Sequence, residues 1–200
     1  MKTLVSLLFC FLQLSVIAQS KIKSDYLVKA NGDTLYGKVS FRDWDRFNPK
    51  DLKKIRLIDL EGKKKKYKKE DIVAFRSDDR VYEGFWLNQT SERIQLVNPI
   101  YNIDSENGKW QFLRVIIKGQ LSHYQLEWYE QGESRLHSMD LLKKNSDDFL
   151  IRATQGIFGL KKQVLKAYFS ECSELVKKIE NKEIKDVQGV VSFFDDNCLN

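Results

Sequence analysis

The stretch Trp110-Gln-Phe-Leu-Arg-Val-Ile-Ile-Lys-Gly-Gln-Leu-Ser-His-Tyr-Gln-Leu-Glu-Trp-Tyr129 decides the fold. Two apolar-rich runs, Trp110–Lys118 and Leu121–Tyr129, flank Gly119-Gln120, and a two-residue break holding glycine between such runs reads as a tight antiparallel turn. In the second run Tyr124, Leu126 and Trp128 alternate with His123, Gln125 and Glu127. That period of two puts apolar side chains on one strand face and polar ones on the other. His123 is accordingly expected to face solvent.

The same rhythm extends in both directions. Asp71–Ser77 and Val81–Leu87 flank Asp78-Asp79, and Lys54–Leu60 and Lys63–Lys69 flank Glu61-Gly62. Near the start, Tyr26 and Val28 share one face, and Leu35, Gly37, Val39 and Phe41 share one face of the next strand. Between them Asn31-Gly32-Asp33 supplies a hairpin turn, because Asn and Gly both tolerate positive φ. Ser134–Met139 and Asp148–Thr154 add thinner strand patterns. The total is about eight to ten short strands spaced about 8–14 residues apart, the spacing of antiparallel sandwiches and small barrels. The expected fold class is mainly β with a C-terminal helical tail (α+β), the β part an antiparallel β-sandwich or partly open β-barrel. No long 3.6 period interrupts this region, so a doubly wound parallel sheet does not fit. Arg42–Asp51 and Asn98–Lys109 read as the two longest loops.

After Gly156 the period changes. Leu160, Val164, Leu165 and Tyr168 form one helical stripe, Leu175, Val176 and Ile179 a second, and Ile184, Val187, Val191 and Phe194 a third. Breaks near Phe169-Ser170 and Asn181-Lys182 divide the tail into two or three short helices.

The N-terminus reads as an export signal. Lys2 precedes a largely apolar run from Leu4 to Ile17, and Val16-Ile17-Ala18 offers modest residues at the positions a signal peptidase reads, with cleavage between Ala18 and Gln19. The run is shorter than the roughly 20 residues that span a bilayer. Cys10 lies inside it behind bulky Phe9, which disfavours lipid attachment. The organisation is therefore residues 1–18 signal, 19–155 β domain and 156–200 helical tail. Cleavage removes one lysine and leaves a net charge of +5 from the chain's +6. Two cysteines remain, Cys172 and Cys198, and an even count in an exported chain points to a disulfide. Their positions would fold the last two helices into a stapled hairpin. The expected location is periplasmic, outer-membrane-associated or secreted.

With that signal, the segment Asp25-Tyr-Leu-Val-Lys-Ala-Asn-Gly-Asp-Thr-Leu-Tyr-Gly-Lys-Val39 resembles the opening of a group of uncharacterised exported proteins of Bacteroidota, which carry an NGDT-aliphatic-YGKV hairpin. Lys65-Lys-Tyr-Lys-Lys-Glu-Asp-Ile72 and Tyr168-Phe-Ser-Glu-Cys-Ser-Glu-Leu175 are similar to that group as well. The resemblance implies a Gram-negative envelope setting and carries no activity or catalytic residue.

Composition excludes several classes. The 200 residues are 42% hydrophobic and 12% aromatic with only 2 Pro and 10 Gly, which rules out collagen-like and wholly disordered chains. A balance of 34 basic to 28 acidic residues falls short of a dedicated nucleic-acid binder, and no nucleic-acid partner is expected. Only two histidines are present, His123 and His137, each read as a surface residue without a catalytic constellation. No nucleophile elbow, zinc-helix, phosphate-loop or dinucleotide motif occurs. The spacing of cysteines and histidines does not resemble a zinc site. Asp78-Asp79, Asp147-Asp148 and Asp195-Asp196 read as turn or cap residues. No catalytic residue, cofactor or metal is assigned.

One charged feature stands out. Lys63, Lys64, Lys65, Lys66, Lys68 and Lys69 place six cations within seven residues around Tyr67. Such a run attracts an anionic glycan or lipid surface through its summed field. It equally suits an edge strand, where lysines block edge-to-edge association. Tyr82, Trp86, Trp110, Phe112, Tyr124 and Trp128 alternate within strands and fill a core, or else line a ligand cavity. The function expected is a non-catalytic binding or interaction module of the cell envelope, with a protein partner or an anionic glycan or lipid surface. Two alternatives stand beside it: a carboxylate-dependent hydrolase of envelope glycans or lipids, and a carrier of a small apolar ligand.

Overall fold

The computed structural model describes residues 24–41, 52–90, 100–130 and 132–198. The cleavage site at Ala18 and Gln19 and the segment 42–51 lie outside them. Twelve strands and three helices follow in order: β1 Tyr26–Lys29, β2 Thr34–Tyr36, β3 Lys38–Ser40, β4 Lys54–Ile58, β5 Lys64–Lys68, β6 Ile72–Ser77, β7 Arg80–Thr90, β8 Ile100–Ile103, β9 Lys109–Ile117, β10 Leu121–Tyr129, β11 Leu136–Lys144, β12 Phe149–Arg152, then α1 Lys162–Tyr168, α2 Ser173–Glu180 and α3 Val187–Asn197. The fold is mainly β with a C-terminal helical tail. The four turns read from sequence all join neighbouring antiparallel strands, β1–β2, β4–β5, β6–β7 and β9–β10.

The architecture turns on β7. Its Leu87 stands opposite Ile103 of β8 on one edge and Lys109 of β9 on the other. The order β7-β8-β12-β11-β10-β9 thereby returns to β7 and closes a six-stranded barrel. The first half of β7 pairs with β6, and β6-β1-β2 continue the sheet beyond the ring. At Gly37 the chain leaves this sheet for a second one, β3-β4-β5. A Cβ there would lie 2.3 Å from the Ile58 carbonyl oxygen, and φ is +154°, so only glycine permits the crossing.

Three cores result. Inside the barrel, Leu87, Tyr101, Leu113, Tyr124, Leu141 and Leu150 are buried, as expected for a ring small enough to be filled by side chains. Between the barrel wall and the small sheet lie Leu27, Ile55, Leu57, Phe75, Tyr82 and Phe112. There Phe75 stacks on Tyr82 at 4.8 Å and meets Phe112 edge-on at 4.9 Å. The third core forms where the helices cover the outer face of β10–β12, with Leu165, Phe169, Leu175, Ile179 and Phe194 against Leu121, Leu142 and Ile151. Cys172 and Cys198 are bonded, with Cα atoms 5.6 Å apart. The bond ties the residue before α2 to the residue after α3. Asp186 caps α3 by accepting from the Gly189 N–H at 2.8 Å, and Asp195 accepts from the Leu121 N–H at 3.0 Å, pinning the helix to the β9–β10 turn.

Three sequence readings are corrected. The stretch Asn98–Lys109 is no plain loop among its described residues: it contains β8, whose four residues are too few to show a period, and a turn around Asp104. The thin pattern at Ser134–Met139 belongs to a nine-residue strand, β11. His123 is buried at 6% exposure rather than solvent-facing. It pairs in register with Leu142, on the face that the helices cover, so the polar face of the hairpin has its own lid.

Candidate anion-binding face

Of the charged features, the lysine run gains most from the tertiary structure. Among the described residues β5 is an edge strand of the small sheet, paired only with β4. Ile55 and Leu57 of β4 and Val39 of β3 point into the core, so their neighbours point outward. Register then sets Lys68 opposite Lys54, Lys66 opposite Arg56, and Lys64 opposite Ile58, which in turn faces Lys38 of β3. Cross-strand partners share a face. One side of this three-stranded sheet therefore carries Lys38, Lys54, Arg56, Lys64, Lys66 and Lys68, six cations without a carboxylate among them.

The six lysines read from sequence thus divide. Lys64, Lys66 and Lys68 join the outer face; Lys63 lies in the turn, where its N–H donates to Asp59 at 2.8 Å. Lys65 lies on the inner side with its ammonium 5.3 Å from the Tyr67 ring centroid. Lys69 is consumed structurally, donating to the Trp110 carbonyl at 3.0 Å. In exchange the face gains Lys38, Lys54 and Arg56, which sequence reading did not assign. Their signal was available: the hairpin at Glu61-Gly62 fixes which residues of β4 oppose the run.

The electrostatics of this face are unfavourable in isolation. Like charges directly opposite on a sheet destabilise it, and Lys54–Lys68 and Arg56–Lys66 are two such pairs. Two nearby carboxylates are engaged with backbone. Asp25 accepts from the N–H groups of Val39 and Asp78 at 3.0 and 2.8 Å, and Asp59 accepts from those of Glu61 and Lys63 at 3.0 and 2.8 Å. They line a depression at the Lys38 end of the sheet, beside the outer face.

Other polar clusters lie elsewhere in the fold. Glu127, 2% exposed, accepts from the Tyr82 hydroxyl at 2.9 Å and from Arg114 at 3.3 Å, with Arg80 at 3.9 Å. Burial first, then the Glu127 charge, pushes the Tyr82 hydroxyl above its ordinary range. Asp140 receives His123 Nε2 at 2.9 Å, Gln125 at 3.0 Å and the Thr154 hydroxyl at 2.8 Å. Burial opposes its charge, but those three donors outweigh it and hold the carboxyl down at about 2. His137 stacks on Trp128 and pairs with Glu133 at 2.6 Å. Each carboxyl with a clear displacement among the described residues, Asp33, Asp104, Asp140 and Glu183, is displaced downward. Among the described residues no group of three or more His, Cys, Asp or Glu is placed to hold a metal, and no helix is long and apolar enough to cross a membrane.

No protein-family model, no curated protein and no solved structure matches the chain.

Proposed function

We propose that this is an exported envelope protein that binds, without catalysis, a phosphate-bearing lipid surface through the outer face of β3-β4-β5. The observation that carries the reading is the face itself: cross-strand pairs of like charge with no carboxylate on the same side among the described residues of β3, β4 and β5. A fold keeps a repulsive array at a cost to stability, and an apposed sheet of phosphates removes that cost while adding attraction of about 1 kcal/mol per cation near the surface. The three strands present these cations on one face together. The export signal at residues 1–18 and the disulfide, a bond that persists in oxidising compartments, both support an envelope setting.

Flotation with vesicles tests the reading. The chain lacking residues 1–18 is expected to float with phosphatidylglycerol-containing vesicles at low salt, to stay behind with phosphatidylcholine, and to be released as salt rises. The variant Lys64→Glu, Lys66→Glu, Lys68→Glu is expected to lose flotation while keeping its fold. Flotation unaffected by that variant overturns the proposal. Binding to a soluble polyuronate with none to vesicles moves it to acidic glycans.

A further inference from the structure

Among the described residues the barrel lumen is filled at one end and leaves a cavity at the other. At the filled end Lys118 donates to Glu83 at 2.6 Å and to the Tyr124 hydroxyl at 2.6 Å, and that hydroxyl donates to Glu83 at 2.8 Å. Fully buried Leu113, Leu141 and Leu150 fill the middle. At the other end the described residues leave a cavity of about 450 Å³. Its lining comes from inward positions of β7 to β11, so it is the barrel's own mouth.

Its walls are chemically divided. Leu87, Tyr101, Leu126, Trp128 and Met139 give an apolar surface. Of these, Leu126, Trp128 and Met139 are only half-buried, although a filled ring would bury residues pointing into its lumen. Trp128 is held in place by stacking on His137, with ring centroids 5.8 Å apart. The polar side consists of Gln89, Gln111 and Lys109, with Asn88 and Asn107 at the rim. Gln111 Oε1 is buried with no hydrogen-bond partner, as are Trp110 Nε1 and His123 Nδ1 elsewhere in the fold. Among the described residues of the lining, Lys109 is the charged one. The nearby carboxylate, Asp104, is occupied by the N–H groups of Glu106 and Asn107 and by the Asn107 and Asn88 amides. Those hydrogen bonds, led by the Asn107 amide, hold it down at about 2.

We propose that the barrel mouth is a binding site for a small amphipathic monocarboxylate, its apolar body against Trp128, Tyr101 and Met139 and its carboxylate toward Lys109. Preformed pockets of a few hundred Å³ with apolar walls and a few convergent polar groups, set in barrel mouths, are the usual form of small-molecule sites. The volume accommodates about fifteen water-sized groups, enough for a saturated chain of about ten carbons with its headgroup. Lys109 selects an anion over a neutral or cationic head. The site lies on a different sheet from the basic face and works independently of it.

Decanoate is the probe, with decanol and decylammonium as controls, each titrated by calorimetry below its self-association limit. Decanoate is expected to bind one to one with a dissociation constant of about 10–100 μM, decanol about tenfold more weakly, and decylammonium more weakly still. Lys109→Gln, at an exposed position, is expected to weaken decanoate about tenfold and leave decanol unchanged. Met139→Trp, which fills the mouth, is expected to abolish both, with retained melting behaviour showing that it folds. The variant Lys64→Glu, Lys66→Glu, Lys68→Glu is expected to bind decanoate as the parent does. Absence of saturable binding overturns the proposal. So does decanoate binding that ignores Lys109→Gln, or decylammonium binding as tightly as decanoate.

Discussion

Replacing Lys66 and Lys68 by glutamate should make this protein more stable and less able to bind. Lys66 stands opposite Arg56 and Lys68 opposite Lys54. With exposed cross-strand charges about 7 Å apart, each repulsion in water costs about 0.6 kcal/mol, and reversing one partner turns it into an attraction of similar size. Two pairs therefore swing by about 2 kcal/mol at low salt, falling to about 1 kcal/mol at physiological ionic strength, where the screening length is about 8 Å. For a chain of this size 1 kcal/mol moves the melting temperature by about 2–4 °C. Lys66→Glu with Lys68→Glu is thus expected to raise Tm by about 4–8 °C at low salt, with the gain shrinking as salt is added. Attraction to phosphatidylglycerol vesicles should meanwhile fall by about 1 kcal/mol per unit of charge, and two reversals change the charge by about four units, about a thousandfold in total. Circular dichroism melts at low and high salt and vesicle co-sedimentation read the two effects in one preparation. A fall in Tm at low salt would show that the cations are not repelling one another as the register implies. Unchanged sedimentation would show that the face is not the contact.

Two further predictions concern the fold. The Cys172–Cys198 bond closes a separation of 26 residues, for which the chain-entropy relation gives about 3.5 kcal/mol. Replacing both cysteines by alanine should lower Tm by about 7–14 °C in scanning calorimetry, and a shift under about 3 °C would mean the helical tail needs no staple. Asp140, held at about 2 in the folded chain against about 3.9 unfolded, contributes stability that is present above pH about 4 and lost as pH falls from there toward 2. Allowing for its remaining solvent contact, the loss is about 1–2 kcal/mol. Urea unfolding across that range should show the decline, and Asp140→Asn should remove its contribution; identical pH profiles for the two proteins would refute it.

The local part of this structure was legible in the residues. Asn31-Gly32, Glu61-Gly62 and Asp78-Asp79 turn where they were read to turn because positive φ is a property of single positions, as Gly32, Gly62 and Asp78 show at +89°, +81° and +55°. The three helices and their breaks followed from a 3.6 period carried by Leu165, Leu175, Ile179, Val191 and Phe194, and the disulfide from a count of cysteines. Tertiary structure alone decided which surface covers each strand face. A period of two says that a strand has two faces and is silent on what lies against them, so His123 read as exposed until helices were laid over β10. Phe112 and Leu113 are both fully buried because β9 stands between two cores. Ring closure depends on β7 being long enough to serve three neighbours, a property of pairing. The two candidate sites are of the same kind. The basic face exists only when β3 and β4 bring Lys38, Lys54 and Arg56 beside the run on β5, and the cavity only where six strands from distant parts of the chain stop short of filling their own ring.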